Sequence, residues 1–309
     1  SPEMFELCTP IVYGSPKVAA YHKKALNLDV NFSIIQDVAE AKPERLNLLA
    51  IADEDVKIEF GTPNEDAATL ARKAIDRAVA DCKAGVVGAI VNAPISEKHF
   101  FTTQEQPVSL SQYIAKQLGE TNEVLEMSLN ECLRITTLSG ELAIKDVANE
   151  ITKERIESAV RLLHHSLRRD FMISIPRVAV LALNPTLEDG PCKEEQEVIA
   201  PAVKQLIADG YTAFGPYQAD SFFGDREFDT FDAVLAMYHD QAMIPFKALS
   251  CEGGVRLITG LSAVITSTDD EALDGKARQS VADEMAFRHA IYLALDVSRN
   301  RKAYDLPYK

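Results

Sequence analysis

Short apolar runs, rich in β-branched residues, alternate along the chain with longer segments whose apolar positions step by three or four. Thr9–Tyr13 (TPIVY) ends at Gly14-Ser15-Pro16, and Pro16 is placed to open a helix running to Leu26. Val86–Asn92 (VVGAIVN) is almost continuously apolar, the pattern of a strand buried on both faces of a parallel sheet, and it stops at Ala93-Pro94. Arg177–Leu183 stops at Asn184-Pro185, and Ala233–Met237 stops at Tyr238-His239-Asp240. Between these runs, Glu65–Cys82, Glu195–Asp209 and Met285–Asn300 read as amphipathic helices. So does the segment after Thr152, where Ile156, Val160, Leu163, Leu167 and Phe171 share one face. Strands alternating with helices predict an α/β protein with a parallel or mixed sheet. The polar stretch Thr102–Ser111 and the glycine-bearing stretch Cys251–Gly260 are the expected crossings between two domains.

Three of the apolar runs end in polar or special residues: Asn92-Ala93-Pro94, Asn184-Pro185-Thr186 and Tyr238-His239-Asp240-Gln241. Ligands of open α/β sheets bind at the carboxyl ends of strands, so this convergence marks the expected site. His239 is the leading candidate, because a histidine following a buried strand can bind a metal or carry a proton near neutral pH. The same residue would serve equally as a hydrogen-bonding group at a helix start. His22, His99, His164, His165 and His289 read as structural. Lys247 offers a point charge for a phosphate or carboxylate, or is a surface lysine. The acidic run Glu188-Asp189, followed by Glu194 and Glu195, either orients a cofactor or forms a solvated lead into a helix. There is no GxGxxG, Walker loop, GxSxG or HExxH, which removes the usual dinucleotide, nucleotide, hydrolase and zinc-protease readings.

Composition narrows the partners. With 32 Lys+Arg against 47 Asp+Glu over 309 residues, the formal net charge is −15, which disfavours nucleic acid and anionic membrane surfaces. A small anionic substrate in a local cationic pocket stays open. No run is long and apolar enough for a membrane span, and the opening SPEMFELCTP lacks a signal-peptide pattern. Five dispersed cysteines without a CxxC pair fit reduced thiols, and with them a cytoplasmic location.

The motifs AMYHDQ (Ala236–Gln241), PFKAL and EGGV beyond it, VNAPISEK (Val91–Lys98), LALNP (Leu181–Pro185), GPYQADSFF (Gly215–Phe223) and FRHAIYLALD (Phe287–Asp296) occur in one order. Together they resemble the 4-hydroxythreonine-4-phosphate dehydrogenase family of pyridoxal-phosphate biosynthesis, over about residues 4–301. The resemblance implies a fold like that of isocitrate and isopropylmalate dehydrogenases, with two α/β domains, a mixed, largely parallel sheet and a cleft. The domains would be 1–105 with 255–309, and 106–254. It also implies a homodimer, NAD as cofactor, and a divalent metal (zinc, magnesium or cobalt) assisting oxidation of a 3-hydroxy acid followed by loss of carbon dioxide.

Carried over position by position, the resemblance makes His239 and Glu141 metal ligands, while the third ligand position holds Thr186. Asp240 and Lys247 become catalytic. Ser111, Lys247 and Arg256 bind the substrate, although the family's phosphate-site histidine, asparagine and arginine fall on Leu110, Arg256 and Ile265. Asn184, Asp189 and Asp270 bind the cofactor, with two acids, Asp270 and Glu271, in the nucleotide loop. The family's opening strand and glycine turn precede the first residue here, which predicts an exposed sheet edge or apolar groove beside Val12 and the 86–92 strand. Two functional readings follow: a working NAD- and metal-dependent dehydrogenase with a shifted substrate, or a catalytically silent member serving as a binding or partner subunit.

Overall fold

The computed structural model describes residues 4–52, 62, 64–101, 109–120, 123–186, 193–250, 253–269 and 284–306. The chain forms two compact units, one of residues 1–121 with 270–284, the other of residues 122–269 with 285–309. The sequence-based division set 255–309 with the N-terminal third; here 255–269 and 285–309 belong to the other unit. Backbone pairing is the reason, since strand Val255–Thr259 runs antiparallel to Leu125–Leu129 over five residue pairs. The helix Met285–Asp305 lies on the same sheet, where Thr266 Oγ1 donates to the carbonyl of Ala290 at 2.8 Å.

In the first unit, β1 (Ile11–Gly14), β2 (Phe32–Ile35) and β3 (Leu46–Ala50) form a parallel sheet in the order β1-β3-β2. The helix Pro16–Ala25 follows β1 directly, with Ser15 capping it and Pro16 in its first turn. The helix Glu65–Lys83 packs on β1, and Tyr13 on that strand donates to Asp81 at 2.9 Å. Strand β1 is at the edge of its sheet and Val12 is exposed, as expected for that strand.

The 86–92 run differs from its expected form. Only Ile90–Asn92 (β4) is a strand, its residues are half-buried, and Val86 is 57% exposed. The residues ahead of it follow the helix Glu65–Lys83 as turn and bend. Gly85 turns left-handed at φ +74°, its N–H donates to Cys82 O, and the N–H of Val86 reaches back to Asp81 O, which closes a Schellman stop.

The second unit is built on β5 (Leu125–Leu129), β6 (Arg134–Thr137), β7 (Val178–Leu181), β8 (Ala213–Tyr217), β9 (Ala233–Ala236), β10 (Val255–Thr259) and β11 (Ile265–Thr268). Their order is β11-β10-β5-β6-β9-β7-β8. The pairs β6–β9, β9–β7 and β7–β8 are parallel, and the three pairs from β11 to β6 are antiparallel. The expected mixed sheet is present, with parallel pairs in the majority across both units.

Strands β7 and β9 are buried at every residue, which accounts for their unbroken apolar runs. The helix Lys153–Arg169, capped by Thr152, covers the sheet with Ile156, Val160, Leu163 and Leu167 fully buried. Phe171 lies beyond its end, in a turn, beneath the guanidinium of Arg134 at 4.8 Å. Gly215 in β8 has φ +137°, and a Cβ there would stand 2.3 Å from the carbonyl oxygen of Val180, so the close β7–β8 approach requires glycine.

Candidate functional site

Four strand ends of the second unit are tied together, three of them by side chains that the motifs carry. Gln241, in the first turn of the helix His239–Leu249, accepts from the N–H of Met237 at 2.7 Å and donates to the carbonyl of Ala182 at 2.7 Å. It therefore joins the end of β9 to the end of β7. At the end of β6, the N–H groups of Leu138 and Ser139 pair with the carbonyls of Ala236 and Met237. Gln218, after β8, donates to the carbonyl of Pro185 at 2.6 Å.

The loop after β7 is held from the other side by Glu195, which is 1% exposed. Its Oε1 accepts from the N–H groups of Leu183 (2.8 Å) and Asn184 (2.7 Å), and its Oε2 accepts from Asn184 Nδ2 (3.0 Å). Glu195 begins a π-turn, Glu195–Ile199, that leads into the helix Ala200–Ala208. A π-turn is a frequent local device at functional sites. Glu195 was read in the sequence as orienting a cofactor or as a solvated loop; it is a buried brace for the Asn184 loop. Gln241 and Gln218 carried no separate signal there beyond their place in the motifs.

His239 lies at the start of its helix, half-exposed, with Nδ1 2.9 Å from Asp240 Oδ1. In the tautomer that donates Nδ1–H to the carboxylate, Nε2 keeps its lone pair for a proton or a ligand. The structural reading of His239 is observed: it opens a helix and is hydrogen-bonded to its neighbour. Lys247 is exposed on the same helix, with no ion pair among the described residues. Eight residues of helix separate it from His239, a rise of about 12 Å.

Arg256 is not open in the way an anion-binding residue would be. Its Nη1 meets Glu126 Oε2 at 3.0 Å and its Nη2 meets Asp269 Oδ1 at 3.1 Å; the Asp269 side chain is 5% exposed. Ser128 Oγ also donates to Asp269 Oδ1, at 3.2 Å. Burial opposes the charge on Arg256, but Glu126, Asp269 and Glu141 outweigh it and hold the guanidinium pKa above its usual range. Glu141 itself is exposed. Gly254 adjoins this cluster: a Cβ there would stand 2.5 Å from the Phe246 ring and 3.2 Å from Asp269 Cβ.

The remaining sequence candidates are placed as follows. Ser111 belongs to the first unit, where it is buried at the start of the helix Leu110–Leu118 with its hydroxyl 2.7 Å from that of Ser109. Asp189 and Asp270 lie outside the described residues. Thr186 is exposed at the end of the β7 loop. His22, His164, His165 and His289 are in helices, and the pKa of His164 is lowered by burial and then by Arg168 and His165. Cys8, Cys82 and Cys132 are free thiols. No described helix is long and apolar enough to cross a membrane.

A divalent metal fits this donor set poorly. Among the described residues no three His, Cys, Asp or Glu side chains stand close enough to share an ion. Glu141 instead lies in the field of Arg256, and the third position is a threonine hydroxyl.

A sheet with parallel strands whose carboxyl ends gather an oriented histidine and a braced loop is the arrangement of a ligand-binding α/β protein. Comparison with known proteins defines it further. The chain belongs to the family of the pyridoxal phosphate biosynthetic protein PdxA, whose model matches residues 6–294. It is 43% identical over 306 residues to the 4-hydroxythreonine-4-phosphate dehydrogenase of Bacteroides thetaiotaomicron, covering 97% of this chain and 83% of that protein. Among solved structures it is similar to the 4-hydroxythreonine-4-phosphate dehydrogenase of Klebsiella pneumoniae, with a TM-score of 0.77 and 27% identity over 93% of this chain and 88% of that one. The corresponding enzyme of Burkholderia phymatum gives a TM-score of 0.76 and 26% identity, covering 96% and 90%.

Proposed function

We propose that this protein is an oxidoreductase of pyridoxal-phosphate biosynthesis. In this reading it is an NAD-dependent dehydrogenase acting on 4-phosphohydroxythreonine or a related anionic 3-hydroxy acid, in an isocitrate dehydrogenase-like two-domain fold that works as a homodimer. The observation that carries the reading is the 43% identity to a named 4-hydroxythreonine-4-phosphate dehydrogenase over 97% of the chain. The oriented His239–Asp240 pair gives that likeness a chemical basis.

Bound NAD supplies the acceptor for the hydride leaving the substrate's hydroxyl-bearing carbon. His239 Nε2 takes the hydroxyl proton, and Asp240 steadies the imidazolium that results. Lys247 holds the substrate's anionic group, about two helical turns away along the same helix. Loss of carbon dioxide from the β-keto acid leaves an electron pair on the α-carbon, which a proton then takes up. No step is routed through a metal, because the described donors do not form a ligand set.

The absence of a three-donor group among the described residues and the engagement of Arg256 by two carboxylates favour a second reading, a catalytically silent family member. One experiment separates the two. The purified protein is mixed with 4-phosphohydroxythreonine and NAD, with and without added zinc, magnesium or cobalt. NADH is followed by absorbance and carbon dioxide by trapping. Turnover in any of these mixtures supports the dehydrogenase. No turnover in all of them, with a folded protein that is dimeric by light scattering, overturns it in favour of the silent member.

A further inference from the structure

Asn184 projects from the end of β7, and both hydrogens of its amide are already in use. Nδ2 donates to Glu194 Oε2 at 3.0 Å and to Glu195 Oε2 at 3.0 Å. A primary amide has two N–H donors, so none is left for a ligand. Two carboxylate oxygens on one side also fix which way the amide points, because turning Oδ1 toward them would set acceptor against acceptor. The main chain adds no donor: the N–H of Asn184 is bound by Glu195, and Pro185 has none. Oδ1 makes no hydrogen bond among the described residues, and the side chain is part-exposed. Two neighbouring carboxylates make the place unfavourable for phosphate or carboxylate.

We infer that Glu194 and Glu195 convert Asn184 into a fixed hydrogen-bond acceptor that recognises the carboxamide N–H of the nicotinamide ring. This rests on the dinucleotide reading proposed above. The nicotinamide end is the fitting source because Gln241 ties the end of β7 to that of β9, which leads into His239. Hydride transfer requires the nicotinamide ring to lie against the carbon whose hydroxyl His239 deprotonates. The adenine amine, the dinucleotide's other neutral N–H₂, sits at the far end of the molecule.

The test is calorimetric titration of the full chain with NAD, with its 3-acetylpyridine analogue, in which a methyl replaces the carboxamide N–H₂, and with its hypoxanthine analogue, which lacks the adenine amine. The expected result is binding of NAD about three- to tenfold tighter than the acetylpyridine analogue, the worth of one neutral hydrogen bond, with the hypoxanthine analogue equal to NAD. In Asn184→Ala the NAD-to-acetylpyridine ratio is expected to fall to about one. Equal binding of NAD and the acetylpyridine analogue by the wild type overturns the inference. So does a preference that survives in Asn184→Ala, or one that follows the adenine amine instead. The wild-type ranking decides even if the variant does not fold. Binding of none of the three dinucleotides overturns the dinucleotide reading and the carboxamide assignment with it. The side-chain amide resonance of Asn184 then reports separately: an exchange-protected pair confirms the fixed acceptor, and an unprotected pair removes that as well.

Discussion

Replacing Arg256 by methionine tests whether this residue is a substrate anchor or an internal counter-ion. In the structure it sits between Glu126 and Asp269, with its side chain 28% exposed, that of Glu126 31% exposed and that of Asp269 5% exposed. Removing one partner of a buried ion pair costs about 3–5 kcal/mol, mostly from the charge left behind. That charge is Asp269, which among the described residues keeps the Ser128 hydroxyl as its side-chain donor, beside the like charge of Glu126. Glu126 is exposed enough for solvent to screen it, so its own loss is about 0–1 kcal/mol. Partial solvent access lowers the whole figure, and Arg256→Met is expected to lose about 2–4 kcal/mol. The double variant Arg256→Met/Asp269→Asn removes the orphaned charge and should recover about half of the loss. Urea unfolding followed by circular dichroism measures both, and KM for the anionic substrate is measured in parallel. A counter-ion predicts the stability loss with KM changed less than about threefold. A variant as stable as the wild type with KM raised tenfold or more would refute the reasoning and return Arg256 to the substrate.

Gln241→Leu leaves Met237 N–H and Ala182 C=O without partners, at about 1–3 kcal/mol each, whereas Gln241→Glu keeps the bond from Met237. Thermal melts should therefore rank wild type, then Glu, then Leu, and a Leu variant that melts with the wild type would remove the bridge. Gly215→Ala drives a Cβ against Val180 O at a left-handed φ, so soluble expression should fail; a soluble, wild-type-like protein would mean that the β7–β8 approach is not tight. Tyr113, which donates to Asp76 at 2.6 Å, has its pKa raised to about 12 by burial and then by Asp76. A raised pKa gives stability that is present below the unfolded value and lost as pH rises through the folded one. Stability relative to Tyr113→Phe should thus decline above about pH 10 and level off near 12, and parallel stability curves would contradict it. Arg301→Met removes the cationic partner of Asp170, whose side chain is 3% exposed, and takes a donor from the carbonyls of Leu261, Ser262 and Ala263. A loss of about 4 kcal/mol or more in urea is expected, and less than about 1 kcal/mol would exclude a supporting role.

What the amino-acid pattern revealed, and what it concealed, follows from the range of the forces involved. Strands β7 and β9 were legible because burial on both faces demands unbroken apolar runs. The helix Lys153–Arg169 was legible because its buried face repeats at helical spacing. Val86–Val87 misled for a local reason: a Schellman stop also favours an apolar residue after its glycine, so a helix terminus imitated the start of a strand. The division at 255 misled for a non-local one, because pairing of β10 with β5 joins residues 126–134 positions apart in the chain, and no periodicity encodes that. His239 could be found from its place after a strand. Glu195 and Gln241 could not be assigned, because their roles are set by which main-chain groups the fold brings within 3 Å.

Charge and frame at the strand ends are set by different residues. The frame depends on Gln241, Gln218 and Glu195 meeting main-chain groups at the strand ends, and those bonds are all in place. Arg256 is paired with Glu126 and Asp269, so its charge is absorbed within the chain and adds little positive potential for a ligand. Asn184 presents an acceptor at these strand ends, which suits a neutral donor better than an anion.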